Sequence, residues 1–200
     1  MIAIIDYGAG NIFSVKNALD YLGVENKLTA DKNEICAADE IILPGVGAFP
    51  WAMKMLRDSG LVDTIREEAR KKPFLGICLG MQLVFDKGYE FEETDGLRLI
   101  GGKVEKIDRK DMIIPHMGWN ELVINRDCPI LKGLPEHPYV YFVHSYAAVC
   151  DDANVSAYCD YGGKITALVH DGAYVYGAQF HPEKSGEVGL QMLRNFAELA

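Results

Sequence analysis

The sequence predicts an α/β protein built on a doubly wound, mainly parallel sheet that is flanked by helices and extended by antiparallel strands in its second half. In the first half, short apolar runs alternate with segments whose apolar residues recur every three or four positions, which is typical of strands joined by crossover helices. After Gly96, strand-like runs follow one another with little helix between them, which favours antiparallel pairing. The composition does not change along the 200 residues, so we expect one domain over residues 1–200.

The first half opens with a strand, a turn and a helix. Residues 2–5 are continuously apolar, and the helix that follows places Val15, Ala18 and Leu19 on one face until Gly23 ends it. The glycine-rich turn suggests dinucleotide binding, but Phe13 occupies the position of the third glycine, so we reject that interpretation. Further strands are predicted near residues 25–28, 41–43 and 74–77, with helices through Trp51, Met55 and Leu56 and through residues 61–69.

The second half is predicted to be rich in strands. Segments 97–107, 121–124, 139–149 and 165–180 have strand-like composition and are separated by turn residues such as proline, glycine, aspartate and asparagine. A last amphipathic helix begins near Gly186, and its apolar face contains Val188, Met192, Leu193, Phe196 and Leu199.

Charge and cysteine content narrow the class of protein. The formal net charge of -9 argues against binding to nucleic acid or to an anionic membrane, because both require clustered lysine and arginine. Five cysteines without a Cys-x-x-Cys pair fit neither a disulfide framework nor a zinc ribbon, and no residues have metal-ligand spacing. The N-terminus lacks a signal-peptide pattern, and no apolar run has the length of a membrane span. We therefore expect a cytoplasmic protein without a metal or other cofactor.

The segment around Cys78 carries the strongest functional signal. An apolar strand ends at Cys78 and a helical pattern begins at Leu79, with Gly76 two residues before the cysteine and Gly80 two residues after it. Small residues at these positions permit the sharp turn of a nucleophile elbow, which exposes the sulfur at a helix N-terminus. The partial positive charge there favours thiolate over thiol. The pattern predicts a nucleophilic Cys78 rather than a structural core cysteine.

A cysteine nucleophile needs a base, and five histidines are available. Residues two apart in an extended segment share a face, so Glu183 is placed to orient the ring of His181. The other four lack such a partner: His144 is expected in the core, His170 points away from Asp171, and His116 and His137 lie in proline-flanked loops.

Acyl transfer also needs hydrogen-bond donors for a developing oxyanion. The Leu79 N–H, the first beyond the nucleophile, is one candidate. The Val46 N–H is the second, because Gly45 and Gly47 on either side allow its peptide to take either orientation. Without Cys78, this stretch would be interpreted as an ordinary loop between a strand and a helix.

Together these motifs resemble the class I, or triad, glutamine amidotransferases, which hydrolyse glutamine through a γ-glutamyl thioester and pass on the ammonia. Within that family the finer resemblance is to the glutaminase subunits of imidazole glycerol phosphate synthases. It rests on the segments around Cys78 and His181 and on further blocks that begin at Ile5, Pro44, Pro115 and Tyr141. The likeness extends from Met1 to the last helix and implies the flavodoxin-like fold of the class I amidotransferases.

The resemblance implies a role for each matching residue. Cys78 is the nucleophile, His181 the general base and then acid, and Glu183 its orienter. The glutamine head group would be held by Gly47, Gln82, Glu90, Ser145 and Tyr146. The partner would be contacted by Asn11, Trp119 and Lys184. For Gln82 the spacing agrees, because it lies four residues beyond Cys78 on the same helix face.

The resemblance also implies a partner. The glutaminase fold uses nearly all of the chain, so we expect the acceptor of ammonia to bind on another polypeptide. This would be a cyclase subunit with a (β/α)8 barrel, which forms a heterodimer with the glutaminase in histidine biosynthesis. We expect little activity in the isolated chain if the Val46 peptide is misoriented until the partner binds. Two alternatives remain open: a free-standing cysteine hydrolase of γ-glutamyl substrates, and a catalytically silent regulatory subunit.

Overall fold

The structure, a computed structural model that describes residues 1–200, contains six α-helices and fourteen strands. The helices are α1 (Ile12–Tyr21), α2 (Lys32–Ala37), α3 (Phe49–Asp58), α4 (Val62–Glu68), α5 (Leu79–Leu83) and α6 (Gly186–Phe196). The first seven strands are β1 (Ile2–Ile5), β2 (Asn26–Thr29), β3 (Glu40–Gly45), β4 (Phe74–Cys78), β5 (Lys87–Gly88), β6 (Thr94–Asp95) and β7 (Gly102–Lys106). The last seven are β8 (His116–Glu121), β9 (Val123–Ile124), β10 (Tyr139–His144), β11 (Tyr146–Cys150), β12 (Val155–Asp160), β13 (Lys164–His170) and β14 (Val175–Ala178).

The main sheet has eight strands in the order β2-β1-β3-β4-β14-β13-β12-β9. The first five of these are parallel, and β13, β12 and β9 continue the sheet in antiparallel pairing. The predicted fold class is therefore confirmed. The core lies on both faces, because neighbouring residues of one strand point in opposite directions: Ile42 belongs to a cluster of 28 buried residues, and Ile41 and Leu43 belong to a second cluster of 24.

The second half of the chain departs from the prediction in its pairing. The strand predicted over residues 139–149 is two strands that separate at Ser145: β10 pairs with β8, and β11 pairs with β7. The strand predicted over residues 165–180 is the hairpin of β13 and β14. Only part of this half extends the main sheet, and the rest forms a two-stranded and a four-stranded sheet. Alternating apolar residues indicate extended backbone, but they do not show where a strand changes its partner. Four strands, β5, β6, β8 and β12, and the helix α2 were not predicted.

The ends and faces of two helices are informative in detail, and one of them corrects a prediction. In α3 the buried face consists of Phe49, Ala52, Met53 and Leu56, whereas Trp51 is 65% exposed. The helix has two apolar stripes, and the stripe with complete i, i+3, i+4, i+7 spacing faces the core. At the start of α1, Asn11 occupies the cap position, but its side chain accepts a hydrogen bond from Ser14 Oγ at 2.8 Å rather than from a backbone N–H.

The parallel strands bring three chain segments together at their carboxyl ends. Gly45 at the end of β3 is the register partner of Cys78 at the end of β4, and Ala178 at the end of β14 pairs beside Ile77. The segments that follow these strands therefore meet at one edge of the sheet, where open α/β folds form their sites. None of the helices is long and apolar enough to cross a bilayer.

Candidate active site

The predicted elbow is present at the end of β4. Cys78 has φ 55° and ψ -110°, a conformation that non-glycine residues rarely adopt. A Cβ at Gly76 would lie 2.5 Å from the carbonyl oxygen of Gly80, and a Cβ at Gly80 would lie 1.8 Å from that of Leu43. Side chains at these two positions would collide with backbone, so the flanking glycines are required by the turn. The helix that follows, α5, is a single short turn and ends at Leu83.

A buried histidine and carboxylate face this elbow. His181 Nδ1 lies 2.8 Å from Glu183 Oε1, and the two side chains are 2% and 1% exposed. The pairing is as predicted, but its geometry differs, because Pro182 begins a short 3-10 turn at Pro182–Lys184 instead of continuing an extended strand. Burial lowers the pKa of His181, but the nearby Cys78 sulfur, the hydrogen bond to Glu183 and the negative charge of both groups outweigh this and raise the pKa to about 9.

Cys78 and His181 share a pocket of about 390 Å³. The sulfur is close enough to raise the pKa of His181, but the two groups do not meet strict hydrogen-bond geometry, which is common before a substrate binds. A larger groove of about 1050 Å³, between α3 and residues 91–95, contains no cysteine or histidine. The smaller pocket is therefore the candidate site, and its volume suits a small polar metabolite.

The structure brings most of the predicted site residues into this pocket. Its lining includes the two residues predicted to bind an oxyanion, Val46 and Leu79, and the five predicted to hold glutamine, Gly47, Gln82, Glu90, Ser145 and Tyr146. Gly47 has φ 98° and Val46 is 44% exposed, so the loop after β3 is open on its outer side. Glu90 is held in place because its Oε2 accepts a hydrogen bond from the Phe49 N–H at 2.8 Å.

The three residues predicted to contact a partner occupy different places. Lys184 lines the pocket itself. Trp119, on β8, is 54% exposed and meets the ring of Tyr141 edge-on at 6.1 Å between centroids. Asn11 is half-buried ahead of α1. Trp119 and Asn11 thus lie outside the pocket.

Sequence reasoning missed two buried polar residues near the site, His116 and Gln179. His116 was expected in a loop without a partner, but it lies in β8, fully buried, with Nδ1 2.9 Å from His144 Nε2. His144 is a core histidine, as predicted, and its Nδ1 donates to the Tyr146 carbonyl at 2.8 Å. Gln179 is also fully buried, and its Nε2 lies 4.0 Å from Cys78 Sγ. Its position two residues before His181 is a signal that could have identified it.

The remaining histidines lie away from the pocket. His137 was predicted to lack a partner, but its Nδ1 lies 2.6 Å from Glu121 Oε1 across the β8–β10 region. His170 stacks on Tyr176 with ring centroids 4.2 Å apart, and its Nε2 lies 4.0 Å from Asp171, so these neighbours do not point in opposite directions as expected. No three His, Cys, Asp or Glu side chains are grouped so that they could hold a metal ion.

A doubly wound α/β sheet with a cysteine at a strand-to-helix elbow and a buried His–Glu pair beside it defines a class of enzymes that use a thiol for acyl transfer. The family model for "Glutamine amidotransferase class-I" matches residues 3–199. The chain belongs to the class I glutamine amidotransferase family, as its motifs predicted.

Individual relatives agree with this assignment. The chain is 52% identical over 197 residues to "Imidazole glycerol phosphate synthase subunit HisH" of Bacillus cereus strain G9842, covering 98% of this chain and 93% of that protein. It is 51% identical over the same length, with the same coverage, to the protein of that name from Bacillus anthracis.

Solved structures share the fold at lower sequence identity. A structure described as a glutamine amidotransferase has a TM-score of 0.77 and 22% identity, and the match covers 100% of this chain and 98% of that one. The structure of PurLQS from Thermotoga maritima has a TM-score of 0.75 and 23% identity, with 98% and 96% covered. These two similarities concern the architecture alone.

Proposed function

We propose that this protein is the glutaminase subunit of an imidazole glycerol phosphate synthase. It hydrolyses glutamine to glutamate and ammonia and delivers the ammonia to a separate subunit in histidine biosynthesis. The observation that carries this assignment is the single pocket in which Cys78, at a strained elbow, lies beside the buried pair of His181 and Glu183. The names of the relatives that match nearly the full chain support the particular synthase.

The chemistry follows from these groups. The Cys78 thiolate attacks the side-chain amide carbon of glutamine, and the N–H groups of Leu79 and Val46 bind the oxyanion of the tetrahedral intermediate. The carbon–nitrogen bond breaks, His181 transfers a proton to the departing ammonia, and a γ-glutamyl thioester remains. His181 then removes a proton from water, which attacks the thioester and releases glutamate and the thiolate. Glu183 keeps the imidazole oriented and stabilises its charged form.

The head group of glutamine is held by polar atoms of the same pocket. Both N–H bonds of the Gln82 amide are used inside the protein, because Nε2 donates to the Tyr146 carbonyl and to Gln179 Oε1, each at 3.0 Å. The Gln82 oxygen is therefore the atom available to accept a hydrogen bond from the substrate. The Glu90 carboxylate supplies a negative charge for the α-ammonium group, and Gly47, Ser145 and Tyr146 complete the contacts.

The acceptor of ammonia binds to a cyclase subunit with a (β/α)8 barrel, which forms a cytoplasmic heterodimer with this chain. The relatives are named as subunits, which supports a partner of this kind. We propose Trp119 as the main residue of this chain that contacts the cyclase subunit, since an exposed aromatic residue is typical of the centre of an interface. Asn11 and Lys184 are the other two contacts that we propose with the partner. Lys184 also lines the pocket, so contact with the partner would reach the active site directly.

The test measures glutamate release by the purified chain, with and without the separately purified cyclase subunit and an analogue of its substrate. We expect slow hydrolysis by the chain alone, at least tenfold faster hydrolysis in the complex, and none in Cys78→Ala. Cys128→Ala is a matched control, because Cys128 and Cys78 are both 7% exposed but Cys128 lies outside the pocket. Cleavage of γ-glutamyl peptides but not glutamine would favour a free-standing hydrolase. A glutamine-analogue label that leaves Cys78 unmodified in the complex would favour a silent regulatory subunit.

A further inference from the structure

A chain of hydrogen bonds leads from the Cys78 sulfur into the protein interior. Gln179 Nε2 donates to Cys78 Sγ at 4.0 Å, and Gln179 Oε1 accepts from Gln82 Nε2 at 3.0 Å. Because the oxygen of the Gln179 amide is occupied by a donor, its nitrogen is the atom that faces the sulfur. Gln179 is fully buried and Gln82 is 4% exposed, so water does not compete for these groups. The result is an N–H donor fixed beside the nucleophile.

The chain continues through two histidines whose tautomers are fixed by their partners. The Tyr146 carbonyl, which accepts from Gln82, also accepts from His144 Nδ1 at 2.8 Å. A carbonyl cannot donate, so His144 carries its proton on Nδ1, and Nε2 of the neutral ring accepts. The donor to that nitrogen is Nδ1 of His116, at 2.9 Å. Burial lowers the pKa of both histidines, which keeps the rings neutral.

The far end of the chain is rigid and lies on β8. The His116 ring is stacked between Phe142 and Tyr161, with centroid distances of 4.7 and 3.9 Å. Its Nε2 lies 2.8 Å from Asn120 Oδ1. An amide oxygen can only accept, and a neutral His116 that donates through Nδ1 has no proton on Nε2, so the chain of donors and acceptors ends at His116. The donors and acceptors from His116 to the sulfur are thus linked without a gap.

We infer that Gln179 is a further catalytic residue, whose N–H stabilises the Cys78 thiolate. His144 and His116 are positioning residues, which hold the side-chain amides of Gln82 and Gln179 in the orientation that this hydrogen bond requires. Replacing hydrogen-bonded partners by apolar side chains of the same shape can leave the stability of a protein nearly unchanged, so stability alone does not require such a network. Because these polar residues follow one another up to the Cys78 sulfur, we assign their role to that sulfur. The role of Gln179 in glutamine hydrolysis rests on the proposed glutaminase function. Its effect on the reactivity of the Cys78 thiol is independent of that function.

The first test replaces Gln179 by methionine, which has similar length but no donor. The rate of Cys78 alkylation by iodoacetamide is measured from pH 5 to 10, and peptide mass spectrometry separates Cys78 from the other four cysteines. We expect the rate at pH 7 to fall about 3- to 10-fold, because a hydrogen bond to a charged group is lost, and the midpoint of the pH profile to rise. A wild-type rate and midpoint in a folded Gln179→Met protein would overturn the assignment of Gln179.

The second test acts at a distance. His116→Phe keeps a flat ring between Phe142 and Tyr161 but removes the donor to His144. We expect a shift of the alkylation profile in the same direction, with a rate at pH 7 about twofold lower. Tyr161→Phe is the control, because it preserves the stacked ring and removes only the hydroxyl bond to the Ile113 carbonyl. If both variants leave the profile unchanged, His116 has only a structural role. His116→Phe also tests the chain if Gln179→Met does not fold.

Alkylation requires neither glutamine nor a partner, so the two proposals fail separately. If the variants shift the alkylation profile but the wild-type complex does not hydrolyse glutamine, the hydrogen-bond chain stands and the proposed function is wrong. If the complex hydrolyses glutamine and the Gln179→Met protein is as reactive as the wild type, the function stands and the role of Gln179 is wrong.

Discussion

The charge of Glu183 can be removed to test how the proposed site works. Replacing Glu183 by glutamine preserves the shape of the side chain and removes its charge. The pKa of His181 is raised from 6.5 to about 9, and at roughly 1.4 kcal/mol for each pKa unit this corresponds to about 3 kcal/mol of stabilisation of the charged ring. The Cys78 sulfur and the Glu183 carboxylate both contribute to this stabilisation.

In Glu183→Gln we expect kcat for glutamine hydrolysis in the complex to fall at least about 100-fold, because the imidazolium that protonates ammonia is no longer stabilised and the ring is not held in one tautomer. The KM should change little, since Glu183 does not line the substrate pocket. The assay is glutamate release as a function of pH. The alkaline limb, near pH 9 in the wild type, should move to lower pH in the variant.

A second measurement checks the same physical cause. A group whose pKa is raised on folding stabilises the protein fully below its unfolded pKa, and this contribution is lost as pH rises through the folded value. The free energy of unfolding of the wild type should therefore decline between pH 6.5 and about 9, and less so in Glu183→Gln. Glu187→Gln, at an exposed position in the first turn of α6, is the control. A loss in kcat below threefold, or an unchanged His181 titration by NMR, would refute the reasoning.

Three further predictions concern other parts of the molecule. Gly80→Ala should lower the free energy of unfolding by about 3 kcal/mol in urea titrations, since its Cβ would overlap the Leu43 carbonyl, whereas Gly101→Ala, whose Cβ meets only an atom at 3.9 Å, should be near neutral. Glu40→Gln should stabilise the protein at pH 8 but not at pH 4, because burial raises the pKa of Glu40 to about 7, and equal effects at both pH values would contradict this. Trp119→Ala should weaken association with the cyclase subunit at least tenfold in calorimetry while the melting temperature stays constant, and a lowered melting temperature would indicate a packing role instead.

The parts of the fold that follow from local rules were predictable. The strand before Cys78 and the glycines on either side of it depend on a few adjacent residues, and the structure shows why a side chain at either glycine is excluded. The division of residues 139–149 at Ser145 was not predictable, because both halves are extended and differ only in the strand with which each pairs. That choice depends on contacts distant in sequence, which a periodicity does not contain.

The same distinction holds for the candidate site. The pairing of His181 with Glu183 followed from their spacing, although a 3-10 turn and not an extended strand brings them together. His116 was misjudged because its partner, His144, is brought to it by the register of β8 and β10. Gln179 was not predicted as a site residue, because a glutamine carries no charge that would mark it in the sequence. Its role depends on which atoms its amide contacts, and only the structure shows this.

The placement of β14 bears on how the enzyme is made. The strand lies in the middle of the sheet, hydrogen-bonded to β4 on one side and β13 on the other, yet it comes after all the other thirteen strands in chain order. A nascent chain therefore carries its thiol for more than a hundred residues before the imidazole is synthesised. Unfinished copies lack the residue that we propose as the acid, so under the proposed function no glutamine is hydrolysed before the central strand of the sheet is in place.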